Sequence, residues 1–359
     1  VLLDGKEDFV KALLIRTACV LLGVVAVAGP SLASDGYLRY PDIHGDTVVF
    51  TAEADLWTAP ASGGVARRVT IHAGTETFPK FSPDGKWIAF TGQYDGNADV
   101  YLIMTEGGEP RRLTWHPAAD QVVGWTPDGK NVIFRSGRNE PHGNFELFTV
   151  AATGGDAEEM PLGWASRIDI DADTGQWAFN RTQRDTRTWK RYRGGTATTI
   201  WVGDPKKADF REVTAFEGMN AFPMWHGGRL YFLSDQGGTA NLWSMNPDGS
   251  DRVKHTDLGD WDARFPSMGP EGRIVFMLAG DIRLFEPKDG QERKIAIDLP
   301  SDRVLTRSRY PNAGRYLTWF DLSPDGKRLA VTARGEIFSV PVDKGVTLPV
   351  TRGSGARES

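Results

Sequence analysis

One short turn recurs along this chain, and it limits what the chain can fold into more than any other feature. The copies are Ser82-Pro83-Asp84-Gly85, Thr126-Pro127-Asp128-Gly129 and Ser323-Pro324-Asp325-Gly326. Gly269-Pro270-Glu271-Gly272 and Asp171-Ala172-Asp173-Thr174-Gly175 are degenerate versions, and His226-Gly227-Gly228-Arg229 and Ile43-His44-Gly45-Asp46 fill the same slot. Proline presets φ at the first turning position, aspartate bonds the local backbone, and glycine takes the positive φ that sends the second strand away with the right twist. A short apolar run follows each turn: Val48-Val49-Phe50, Trp87-Ile88-Ala89-Phe90, Val132-Ile133-Phe134, Trp177-Ala178-Phe179, Leu230-Tyr231-Phe232, Ile274-Val275-Phe276 and Leu329-Ala330-Val331. Runs this short, β-branched and aromatic, bounded by turns, read as buried strands.

A third strand then follows a polar–aliphatic–aromatic order, as in Asp55-Leu56-Trp57, Asp99-Val100-Tyr101, Glu146-Leu147-Phe148, Asn241-Leu242-Trp243 and Glu336-Ile337-Phe338. Glycine turns such as Gly63-Gly64, Gly107-Gly108 and Gly154-Gly155 lead to an outer strand, as at Arg68-Val69-Thr70 and Arg112-Leu113-Thr114. Four strands in about 40 residues is the period of a propeller blade. A blade cannot bury its own faces, so it stacks on its neighbours, and ring closure hides most edges. The repeated register argues against a sandwich of unrelated hairpins. The expected fold is all-β: a six-bladed β-propeller of four-stranded blades, followed by the first blade of a second propeller. The expected divisions are an export signal with upstream residues over 1–33, the six-bladed ring over 34–300, a linker over 301–316 and the extra blade over 317–359.

Forty-two basic and 47 acidic residues leave a net charge of −5 and no basic footprint for nucleic acid. At the N-terminus, Lys11 and Arg16 precede an apolar run, Ala18 to Ala28, that Pro30 breaks. Ser31-Leu32-Ala33 offers the small residues a signal peptidase reads, so cleavage is expected after Ala33 and the mature chain in the periplasm or outside the cell. The run is about half of the roughly 20 residues a membrane span needs, so no membrane attachment is expected after cleavage. Cys19 is the only cysteine, and a mature chain without it needs no disulfides. Residue 1 is valine; a start upstream or at Val10 is expected.

The six histidines, His44, His72, His116, His142, His226 and His255, form no paired metal-ligand spacing, and no metal or cofactor is expected. No Gly-x-Ser-x-Gly elbow is present, and no catalytic residue is recognisable. Asp84, Asp128 and Asp325 read as turn formers rather than calcium ligands. The least ordinary stretch is the insertion over 182–198, where Trp189, Lys190, Arg191, Tyr192 and Arg193 make a basic and aromatic loop on an acidic protein. These five residues are the candidates for contact with substrate, since arginine grips carboxylates through paired bonds, or with another domain.

Four passages carry a family resemblance. They are Tyr40-Pro41-Asp42-Ile43-His44-Gly45-Asp46 running into Asp55-Leu56-Trp57; Gly124-Trp125-Thr126-Pro127-Asp128-Gly129; Thr188-Trp189-Lys190-Arg191-Tyr192-Arg193-Gly194-Gly195-Thr196 with Ile200-Trp201; and Asp248-Gly249 before Lys254-His255-Thr256. Together they resemble the N-terminal region of the tricorn-type proteases, over essentially all of 36–351. The resemblance implies a six-bladed propeller, then a seven-bladed one, a PDZ-like domain and a C-terminal serine-peptidase core in a homo-oligomer that cuts oligopeptides. It implies that the propellers gate substrate entry or product exit. The serine nucleophile and its histidine would lie beyond residue 359, so no catalytic residue carries over. The export signal departs from the cytosolic archaeal type and points to a periplasmic variant. Two other readings stand beside this one. The first is a non-catalytic periplasmic protein-binding propeller similar to that of the Tol system. The second is a propeller fused to another hydrolase, such as a prolyl oligopeptidase or an amidohydrolase.

Overall fold

The Ser-Pro-Asp-Gly turns close as their residues dictate. In the first, the Ser82 hydroxyl donates to Asp84 Oδ1 at 2.6 Å, and the same oxygen accepts the Lys86 N–H at 3.2 Å. Ser82 Oγ in turn accepts the Trp87 N–H at 3.0 Å, and Gly85 takes φ +71°. Thr126 and Asp128 repeat this pattern at 2.7 Å and 3.1 Å, as do Ser323 and Asp325 at 2.6 Å and 3.1 Å. These bonds, led by that from the Ser or Thr hydroxyl, hold all three carboxyls below their usual range. The three aspartates are turn formers.

The computed structural model describes residues 37–140, 143–182, 190–214, 217–303, 307, 310 and 312–351. They fall into two compact units, divided between Asp302 and Arg303. The first holds six four-stranded antiparallel sheets, each with its strands in chain order. They are blade 1 (39–68), blade 2 (76–112), blade 3 (120–164), blade 4 (167–212), blade 5 (220–254) and blade 6 (264–294). The second unit holds one more such sheet, with strands Leu317–Leu322, Arg328–Ala333, Glu336–Pro341 and Leu348–Pro349, entered through a 3-10 turn at Ala313–Tyr316 that Asn312 caps.

The alternation along each second strand sets the blade stacking. In Val48-Val49-Phe50, Val49 packs toward blade 2, with Ile88 and Phe90, while Val48 and Phe50 pack toward blade 6, with Val275 and Leu284. Six apolar clusters result, one at each junction of neighbouring blades, including that between blades 6 and 1. Phe50, Phe90, Phe134, Phe232 and Phe276, at one position of the repeat, are fully buried. Each contributes about 1.5–3 kcal/mol of burial.

In blades 1, 2, 4 and 5 a threonine ties the outer turn to the third strand. The hydroxyl oxygens of Thr70, Thr114, Thr214 and Thr256 accept the N–H groups of Leu56, Val100, Ile200 and Leu242 at 2.9–3.1 Å, always 14 residues apart. Thr351 does the same for Ile337 at 2.8 Å in the second unit, which marks that sheet as a copy of the same repeat.

The ring closes without a shared blade. After blade 6 the chain runs back along blade 1, where Ile297–Asp298 pairs in parallel with Gly64–Val65. Ile295, Ile297 and Leu299 enter the apolar cluster between blades 6 and 1. The Leu38 N–H adds a bond to the Gly280 carbonyl at 3.0 Å.

Candidate functional site

The innermost strand of each blade faces the ring axis. Four of these strands carry an aromatic residue followed by proline: Tyr40-Pro41, Phe78-Pro79, Phe222-Pro223 and Phe265-Pro266. Proline disfavours helical geometry in the residue before it. Here that residue takes the left-handed region instead, at φ 52°, 53°, 59° and 49°. Each strand bulges at that point, between Arg39 and Asp42, Thr77 and Lys80, Ala221 and Met224, and Arg264 and Ser267. A bulge re-aims a side chain, and a bulky residue at positive φ is a true outlier that its surroundings must hold in place.

The re-aimed rings meet across the axis. Tyr40 stands 4.2 Å from Phe78 and 4.7 Å from Phe265, centroid to centroid; Phe265 is 5.9 Å from Phe222, and Phe78 is 6.1 Å from Phe265. Blade 4 supplies Arg167 at the equivalent position. Its guanidinium lies 5.4 Å from the Phe78 ring and 5.2 Å from the Phe222 ring. Five blades thus build an aromatic and arginine collar.

Two residues further along the inner strands is a second layer: Asp42, Lys80, Gly124, Asp169, Met224 and Ser267, paired with the equivalent positions of their second strands. These residues line a cavity of about 620 Å³ that continues past His44, Ser82, Thr126, Asp171 and His226 to the hairpin turns. Asp42 Oδ2 accepts the Phe81 N–H at 2.6 Å, and Asp42 Oδ1 accepts the Ser267 hydroxyl and stands 3.6 Å from Lys80 Nζ. Lys80 Nζ also donates to Ser267 Oγ. Burial pushes the Lys80 ammonium below the usual lysine range, against the pull of Asp42. On the far side, Asp169 Oδ2 accepts the Trp225 N–H at 2.6 Å. Burial pushes Asp169 up to about 6, against the bonds it accepts from the Trp225 and Ile170 backbone. Among the described residues, no group of three or more His, Cys, Asp or Glu side chains is placed to hold a metal ion.

The basic loop lies elsewhere. In a four-stranded meander, the loops between second and third strands stand on the face opposite the first hairpin turns. On that face Lys190 Nζ pairs with Asp262 at 2.9 Å, Arg191 Nε donates to the Gly238 carbonyl at 2.7 Å, and Arg193 Nη1 donates to Asp235 at 2.9 Å. The Tyr192 hydroxyl accepts from Thr196 Oγ1 at 3.3 Å. Lys190, Arg191 and Arg193 therefore reach blade 5 and the segment after it, and none of the four residues lines the cavity. Trp189 lies outside the described residues, as does the segment 1–33. His44 and His226 sit at the cavity rim in their turns; His44 Nε2 is 3.1 Å from the Pro83 carbonyl.

The collar and charged layer were missed from the sequence, although a signal was present. The aromatic-Pro pair recurs in one slot of the repeat. Two of the passages that carried the family resemblance, around Tyr40-Pro41-Asp42 and Gly124-Trp125, prove to line the cavity.

The family model described as the tricorn protease N-terminal beta propeller domain matches residues 35–291. The chain belongs to this tricorn propeller family. A tricorn protease homolog of Saccharolobus solfataricus is 30% identical over 84% of the chain, and tricorn protease homolog 1 of Streptomyces coelicolor is 34% identical over 89%. The crystal structure of the tricorn protease superposes on 89% of the chain with a TM-score of 0.71 and 27% identity. The chain spans only 28% and 29% of the length of the two tricorn homologs and 31% of the crystallised chain.

Proposed function

We propose that this tricorn propeller is the N-terminal part of a serine peptidase that degrades oligopeptides, and that the ring gates substrate entry or product exit. The observation that carries the reading is the axial cavity of about 620 Å³ with its collar of Tyr40, Phe78, Arg167, Phe222 and Phe265. A cavity this size takes the end of an extended peptide and excludes a folded domain. The names of the relatives agree with peptide hydrolysis. In this reading the peptidase core, and the contacts that assemble a homo-oligomer, belong to other parts of a longer chain. Export to the periplasm, through the segment ending at Ala33, is part of the same proposal.

The test is enzymatic. The longer protein containing these residues is expected to hydrolyse oligopeptides, to leave folded proteins intact and to be silenced by a serine-directed phosphonate. Residues 34–359 alone are expected to hydrolyse nothing. A downstream reading frame without a peptidase core, or oligopeptide cleavage by 34–359, overturns the reading.

A further inference from the structure

We propose that the axial cavity is a binding site for a primary ammonium group of an oligopeptide, with Asp169 as its counter-ion. The inference rests on the oligopeptide reading above and adds the chemistry of the end that is held.

The charges lining the cavity are unequal. Four carboxylates, Asp42, Asp169, Asp171 and Asp173, face two cations, Lys80 and Arg167. A narrow, low-dielectric cleft of one sign concentrates ions of the other. Most of these groups are already engaged. Asp42 holds Lys80, Ser267 and the Phe81 N–H. Arg167 lies against Phe78 and Phe222 in the collar. Asp171 accepts the Asp173 N–H and the Thr174 hydroxyl within its own turn.

Asp169 differs. It stands in the cavity wall on blade 4, and its bonds are to the backbone N–H groups of Trp225 and Ile170. Among the described residues no cation lies within ion-pair distance of it. A carboxylate in such a place is stabilised by a mobile cation that brings its own charge. The collar decides how that cation arrives. It floors the cavity, so an extended peptide enters from the turn face and stops end-on, its leading group level with Asp169 and the aromatic rings.

Binding is then pH-dependent. The titratable and charged groups that share the cavity with Asp169 are Lys80, Asp42, Arg167, Asp171, Asp173, His44 and His226. Protonation of Asp169 removes the counter-ion and weakens binding on the acid side of about 6.

The experiment is calorimetric titration of the 359-residue chain with three amidated tetrapeptides at pH 7.5: tetra-alanine with a free amino end, its N-acetyl form, and an N-acetyl form carrying one lysine. The free-amine peptide is expected to bind, and acetylation to weaken it at least tenfold. Recovery of affinity by the lysine peptide assigns the site to side chains, and its absence to the α-amino end; either result supports an ammonium site. D169N is expected to lose at least tenfold in affinity while unfolding at a midpoint no lower than the native chain's, and native binding to weaken about tenfold at pH 5. Equal affinity for free and acetylated peptides, unchanged affinity in D169N, or no binding at millimolar peptide overturns the proposal. Cleavage by the longer protein is scored separately, so the peptidase reading survives if only the ammonium site fails.

Discussion

Gly85 shows how tightly single residues hold the turn face. Its φ is +71°, and a Cβ there would stand 2.5 Å from the His44 ring of the preceding blade. G85A therefore meets both backbone strain and a clash, and is expected to destabilise the ring by about 1–3 kcal/mol, read as a lower denaturation midpoint. H44A is expected to restore the part owed to the clash and not the part owed to φ. Asp169 works in the opposite direction. Its carboxyl is raised from 3.8 to about 6, so the folded state favours the protonated form. The stability this confers is fully present below about pH 4 and is lost as pH rises through about 6. D169N keeps an oxygen for the Trp225 N–H and removes the buried charge. It is expected to be more stable than the native chain by roughly 1–3 kcal/mol at pH 7.5 and equal to it at pH 4, measured by urea denaturation at both values. The turn aspartates were legible in the sequence because their chemistry is local. Asp169 was not, because its character comes from a cavity assembled by six distant strands.

The blade shows which elements a sequence announces. A glycine turn followed by a short apolar run is written within some ten residues, and every second strand was legible from that pair of signals. The threonine ties span 14 residues and were seen only as the ends of outer strands. Thr256 is the clearest case. It is buried, accepts the Leu242 N–H at 3.0 Å and donates to Asn241 Oδ1 at 3.0 Å. T256V keeps the shape and strands both partners, so it is expected to cost about 1–3 kcal/mol. Hydrogen exchange would report it directly: the Leu242 amide is expected to lose protection before those of blades 2 and 3. The innermost strands were the least legible element. Their aromatic residues sit at positive φ inside a bulge, a geometry that propensity does not suggest for Tyr or Phe. Only the repetition of the aromatic-Pro pair across blades could have disclosed it.

Closure belongs to the whole molecule. Its ladder is two residues long, Ile297–Asp298 on Gly64–Val65, so it leaves almost no local signature; the alternation Ile295, Ile297, Leu299 is the faint trace of it. Yet these three side chains are nearly fully buried, at 1%, 4% and 6% exposure. At about 1.5–3 kcal/mol each, their burial is roughly 5–9 kcal/mol, as large as the net stability of many domains. The apolar junction they enter is the one that joins the first blade to the last, whereas the other five junctions join blades that are consecutive in the chain. A chain ending at Lys294 thus keeps all six blades and loses the clasp, whereas one ending at Asp302 keeps both. The shorter chain is expected to unfold in urea with a lower midpoint and a shallower, multistep transition, and to lose amide protection first in blades 1 and 6. The longer is expected to unfold in one step. Because the collar needs Tyr40 of blade 1 and Phe265 of blade 6 at 4.7 Å, the shorter chain is also expected to lose peptide binding on the axis while its middle blades remain folded.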